Sequence, residues 1–169
     1  MRGVLSRRPS EASLLAIVMF ASLVVLAGRI VQIHLQFTNP EDRLELTMQH
    51  TVSQMLFVPL AYYGMAALGT YLSRLCGGQG SWREGRAAFF WAALVAAPII
   101  ALSLLVPLFM AGVPPEVSTV TAQVGAVFFT WALAQCFAEA FGFARTWLVF
   151  ASFCVPALLI FVVVWLSRS

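Results

Sequence analysis

The sequence predicts an all-α membrane protein: a bundle of five transmembrane helices, with the N-terminus in the cytoplasm and the C-terminus outside. Three observations predict it. First, the 169 residues are 61% hydrophobic and only 10% charged. A soluble domain carries about 25% charged residues, so this chain has too little polar surface to cover itself in water. Second, apolar stretches fall at about 14–33, 52–72, 87–110, 120–138 and 147–166, and about 20 apolar residues of helix cross one bilayer. Third, the arginines are asymmetric. Arg2, Arg7, Arg8, Arg74, Arg83, Arg86 and Arg145 fall on segments that five crossings place on one side, against Arg43 and Arg168 on the other. Excess arginine in short loops marks the cytoplasmic side. Residues 1–13 then form a cytoplasmic tail and 14–169 a single membrane domain. The net charge of +3 reports these orienting arginines and gives no argument for nucleic acid.

The first span opens at Pro9-Ser10-Glu11, with Ser10 placed as an N-cap and Glu11 favourable in the first turn. The apolar run is too long for the core of a signal peptide and no A-x-A-like site follows it, so it reads as a retained span. Arg29 sits in its last turns. It either pairs inside the membrane, as intramembrane ions do, or snorkels to the far interface, where Glu41, Asp42 and Glu45 offer counter-charges. Gln36–Gln49 reads as a polar outer loop, with a turn at Asn39-Pro40 and a short interfacial helix from Glu41. His34 and His50 flank it, but they and the acids lack a ligand spacing such as HxxxH, and the sequence gives no metal and no cofactor.

In the second span, Pro59 removes an amide and frees the Met55 carbonyl, which predicts a bend. Tyr62 and Tyr63 lie mid-span, and Gly64, Ala67, Gly69 and Thr70 offer a small-residue face for close packing. The inner link holds Arg74, Arg83 and Arg86 around Gly77-Gly78-Gln79-Gly80. That run lacks GxxxxGK[ST] and is no P-loop; it reads as a flexible link. Ser81 and Glu84 have capping-box spacing. Trp82 falls at the interface, and Arg74, Trp82, Arg83 and Arg86 are the candidate contacts to lipid headgroups or a partner.

The third span contains Pro98 and Pro107, expected to interrupt it, and a small face at Ala92-Ala93 and Ala96-Ala97. The fourth carries Gln123 and Gln135 and closes at Glu139; Arg145, across a short inner turn, is placed to pair with Glu139. The fifth is bent at Pro156. Arg29, Tyr62, Tyr63, Gln123, Gln135 and Glu139 are the candidate polar lining of the membrane interior. Cys76, Cys136 and Cys154 lack CxxC spacing and read as small apolar residues.

The chain shows no catalytic constellation. A membrane hydrolase needs a nucleophile beside a base, yet both histidines fall at the outer ends of spans and no acid lies deeper than Glu139. GxSxG and HExxH are absent.

Two stretches carry a family resemblance. One is the inner link and following helix, with Gly77, Gly78, Gly80, Trp82, Trp91 and Pro98. The other is the turn Ala138-Glu139-Ala140-Phe141-Gly142-Phe143, followed by a final helix that opens with an aromatic. Together with the Pro-Ser-Glu-Ala-Ser start, they resemble the Yip-domain family of Ypt/Rab-interacting membrane proteins, most of all its small bacterial branch. Phe141 stands where bacterial members often have His. The resemblance implies a five-span bundle with a cytoplasmic N-terminus and, through its bacterial branch, the cytoplasmic (inner) membrane. Eukaryotic relatives act in vesicle traffic with small GTPases through long cytosolic N-terminal regions, and the short tail here argues against small-GTPase binding.

The expected function is therefore a non-enzymatic membrane scaffold or partner-binding protein, whose partners are the lipid bilayer, other membrane proteins or a second copy. The alternative is a small-solute or lipid transporter, or a subunit of one, using helices broken at Pro59, Pro98, Pro107 and Pro156. A reporter that works only in the cytoplasm, fused after Ser169, is expected to stay silent; a bright signal inverts the arrangement.

Overall fold

Helices here begin at side chains that satisfy their own free amides. In the computed structural model, residues 10–109 and 115–154 are described, with side chains outside 107–122. Ser10 caps α1 (Glu11–Gln36): its Oγ accepts from the Ser13 amide at 3.1 Å, and Glu11 stands in the first turn. That supplies one of the partners that the first turn of a helix lacks. Asn39 caps α2 (Pro40–Val52), its Oδ1 accepting from the Glu41 amide at 3.2 Å. Pro40 sits in the first turn, where its missing amide costs nothing. Asn39-Pro40 is thus a helix start rather than a separate turn, and the short helix expected from Glu41 is present and runs on to Val52.

α2 passes through a π-helical turn at Ser53–Phe57 directly into α3 (Val58–Leu75). The Val58 amide donates to the Ser53 carbonyl, five residues back. Pro59, buried in the first turn of α3, has no amide to give; the wider turn before it absorbs that gap. Where the sequence predicts a bend at Pro59, the structure has this π-helical turn beside it.

α4 (Trp82–Phe109) opens with a reciprocal cap. Glu84 Oε2 accepts from the Ser81 amide at 2.7 Å, and Ser81 Oγ accepts from the Glu84 amide at 3.3 Å. The helix is continuous through Pro98, whose ring is exposed, and past position 107. The interruptions expected at Pro98 and Pro107 do not end it: each proline removes one amide bond, and the bonds on either side hold the helix. α5 (Pro115–Phe141) follows, and residues 146–154 open α6. The rest of the fifth expected span, with Pro156, lies outside the described residues.

Among the described residues, four helices are long and apolar enough to cross a membrane: Glu11–Gln36, Pro40–Leu75, Trp82–Val106 and Gln123–Phe141. Helices run past the expected spans because hydropathy marks the hydrocarbon reach, whereas caps stand in the polar interface. The continuous Pro40–Leu75 rod has 36 residues, about 54 Å of helix against a hydrocarbon core of about 30 Å. Its polar first part, α2, buries no residue.

α4 is the centre of the bundle, packing chiefly against α5 and α1 and then α3. It runs parallel to α1, since Arg86 meets Glu11 and Ala101 meets Gly28. It runs antiparallel to α3, where Phe90 meets Tyr63 and Gly85 meets Thr70, and antiparallel to α5, where Phe89 meets Phe129 and Ser103 meets Gly125. The expected small face of α4 is present: Ala92, Ala93, Ala96 and Ala97 are all buried. On α3 the small face is turned from the expected one. Ala66, Gly69, Thr70 and Ser73 are buried, while Gly64 and Ala67 are exposed, because residues three and four apart share a helix face.

The closest approach is at Gly85. A Cβ there would collide with Thr70 Oγ1 and lie 2.9 Å from Thr70 Cβ. Thr70 cannot easily turn away, because its hydroxyl donates to the Ala66 carbonyl at 2.7 Å. Gly85→Ala is expected to cost about 1–3 kcal/mol, the usual range for overpacking, read as a lower melting temperature in detergent. Thr70→Gly in the same chain should recover most of that loss; a Gly85→Ala variant that melts like the parent refutes the contact.

Candidate functional site at the arginine-bearing pole

Three segments meet at one end of the bundle: the start of α1, the 76–81 link and the 142–145 turn. Two contacts join them. Arg86 Nη2 pairs with Glu11 Oε1 at 2.7 Å, and the Gln79 amide donates to the Phe141 carbonyl at 3.2 Å. The pairing groups are 32% and 55% exposed, so solvent screens the ion pair and it fixes geometry more than it adds stability.

The glycine run is a built loop rather than the flexible link expected. Gly77 has φ +87°, and the Gly78 amide donates to the Ser73 carbonyl at 2.9 Å. This is the left-handed stop that terminates α3 and satisfies a free carbonyl. The next glycines lie against Phe141: a Cβ on Gly80 would stand 2.7 Å from Phe141 Cδ1, and one on Gly78 would stand 2.9 Å from it. α5 ends in the same way, with Gly142 at φ +72° and the Phe143 amide donating to Ala138 at 2.9 Å. Phe141 is buried and stacks on Phe137 (5.5 Å between centroids) and Phe143 (6.3 Å).

The four headgroup candidates are placed around this loop. Arg74 is in the last turn of α3, with its guanidinium carbon 5.8 Å from the centroid of the exposed Trp82 ring, a cation–π contact. Arg83 and Arg86 are half-buried on the first turns of α4, and both lie within helical reach of Trp82 or each other. Arg86 Nε is enclosed and has no hydrogen-bond partner. Glu139 and Arg145 are exposed, and among the described residues no ion pair joins them. Guanidinium donors beside an indole face suit the recognition of anions.

The intramembrane polar residues sit in separate surroundings. Tyr62 packs edge-on to Phe89 at 5.4 Å and Tyr63 to Phe90 at 4.7 Å, both half-buried against the core. Gln135 is exposed, and so is Gln123, which lines an open groove of about 540 Å³ with Val124, Val127, Phe128, Trp131 and Phe150. Arg29 is half-buried and donates to Gln32 Oε1 at 2.7 Å, so its partner is an amide one turn on rather than the acids of α2. His34 Nδ1 is 2.9 Å from the Ile30 carbonyl. Among the described residues, no group of three His, Cys, Asp or Glu side chains is arranged to hold a metal ion. Trp91, one of the aromatic positions of the resemblance, packs against the core with its indole nitrogen enclosed and unpartnered.

The sequence reading missed the role of Phe141 as the socket for the glycine loop. A signal was present: the loop glycines and the aromatic both flank helix ends that the expected span order brings to one side. It also missed Glu11 as the partner of Arg86, because a pair separated by 75 positions leaves no local pattern.

The fold and this pole define a multi-helix integral membrane bundle of the helix-packing kind. A search of curated proteins and a search of solved structures each return no match. The Yip1 domain family model matches residues 1–166, so the chain belongs to the Yip1 domain family.

Phe141→Ala is expected to cost about 3–5 kcal/mol, the range for truncating a buried Phe, seen as a lower melting temperature in detergent. It should also open the 76–81 link to proteolysis. Unchanged melting and unchanged cleavage would show that the loop is held elsewhere.

Proposed function

We propose that this protein is a non-enzymatic scaffold of the bilayer, acting through its helix faces and its arginine-bearing pole on other membrane proteins or a second copy of itself. The observation that carries this reading is the separation of the polar candidates. Tyr62 and Tyr63 are packed against phenylalanines, while Gln123 and Gln135 face outward. Alanines and phenylalanines fill the space between α1, α3, α4 and α5. A transport pathway needs polar groups that face a common cavity, and the described interior supplies an aromatic core instead. Outward, large apolar side chains such as Phe20, Leu60 and Trp131 are exposed, as suits a surface that meets lipid and partner helices.

In this reading the pole that carries Arg74, Arg83, Arg86 and Arg145 lies on the cytoplasmic side, where arginine-rich segments are retained, and the membrane is the bacterial cytoplasmic membrane.

Crosslinking in native membranes, followed by identification of the adducts, tests the proposal. The expected result is a recurrent adduct with one or a few membrane proteins, or with a second copy of the chain. Recovery of monomer alone at every crosslinker length overturns it.

A further inference from the structure

We infer that the arginine-bearing pole binds the phosphodiester headgroup of an anionic phospholipid, at a site formed by Arg74, Trp82 and Arg83. The inference goes beyond the scaffold reading and holds whether or not a protein partner exists. Arg74 is exposed and, among the described residues, no carboxylate pairs with it; its guanidinium lies over the indole of Trp82, 5.8 Å from the ring centroid. A guanidinium lying over a ring keeps its N–H edge free to donate, and that edge matches two oxygens of a phosphate. Arg83 follows Trp82 in the same first turn of α4 and adds a second positive charge. Two acids of the pole are engaged, Glu11 with Arg86 and Glu84 in the cap of α4, which leaves the exposed Glu139 at this pole.

The apolar surroundings select a lipid over a free anion. Below Arg74 on α3, Leu68 and Tyr71 are each 52% exposed, and their spacing of three places them on one face. This surface has a cationic top and an apolar wall descending from it, which is the polarity of a phospholipid standing in a leaflet. Arg74 closes one crossing helix and Trp82 opens the next, the level at which arginine and tryptophan meet headgroups. Attraction of this kind amounts to about a five-fold change in affinity for each arginine near an anionic surface.

The test uses the full chain purified in detergent, with bound lipid counted by native mass spectrometry during titration with phosphatidylglycerol or phosphatidylcholine. Phosphatidylglycerol is expected to be retained preferentially, and less so as salt is raised. Arg74→Gln should lower its retention about five-fold, and Arg74→Gln with Arg83→Gln further still. Trp82→Leu, which removes the ring beneath Arg74, should also lower it. Arg43→Gln, at the opposite end of the bundle, should leave it unchanged. Arg74 and Trp82 are exposed, so their variants should keep the parent's circular dichroism and elution volume. Equal retention of the two lipids, or retention indifferent to Arg74 and Arg83, overturns the inference. Inorganic phosphate that binds the same arginines as tightly as the lipid overturns the lipid assignment. So does an acidic protein that copurifies with the parent and is released by Arg74→Gln without any lipid preference.

Discussion

The bundle depends on how closely other helices can approach α4. Inside a bilayer the hydrophobic effect does not drive helices together, because lipid tails are as apolar as leucine; association rests on contact area and close packing. α4 meets that constraint by being thin on several sides. Gly85 lets Thr70 of α3 in against the backbone, and the buried Ala92, Ala93, Ala96 and Ala97 keep the helix narrow toward its other neighbours. Phe89 and Phe90 then project from this narrow rod to meet Tyr62, Tyr63 and Phe129 edge-on, a geometry that favours aromatic contact. Small residues set the distance between helices and large ones fill what is left.

The pole is organised by the same contrast of small against large. Two helices, α3 and α5, both stop there on a glycine with positive φ, and the loop after the first stop is laid on the last buried ring of the second helix. The glycines of the inner link therefore have separate duties. Gly77 supplies a backbone conformation that other residues resist, whereas Gly78 and Gly80 supply the absence of a side chain where Phe141 needs the space. Once the loop is fixed, Arg74 and Trp82 on either side of it are brought together, although eight positions separate them in the chain. A surface of charge and aromatic area is thus a product of packing at a buried phenylalanine.

Much of this architecture was legible in the chain, and the parts that were not have a common cause. Ser10 and the Ser81–Glu84 box announced helix starts, because capping is written within a few residues. Long apolar runs announced crossings for the same reason. Asn39-Pro40 was ambiguous locally: the pair marks a turn or a first turn of helix equally well, and the continuity of α2 with α3 decides between them. Which small residues of α3 face inward was also undecidable locally, since Gly64 and Gly69 differ only in which side α4 lies on. At the pole, Arg74, Trp82 and Arg86 were recognisable by composition and position, but the link between Gly80 and Phe141 is a long-range contact and leaves no period in the sequence. Local rules reported where helices begin; the neighbours of each helix came from shape.

The parallel pairing of α1 with α4 bears on how the chain is made. α1 buries Leu14, Val18, Ala21 and Leu26, and much of that face is turned to α4, whose Arg86 lies 75 positions after Glu11. α1 precedes α4 in the chain, so its face stands against lipid while the α2–α3 rod is synthesised. Only when α4 arrives does α1 find its seat. An element that must stand alone in lipid before it is needed should be independently at home there, and α1 is: it combines high mean hydropathy with its own cap at Ser10.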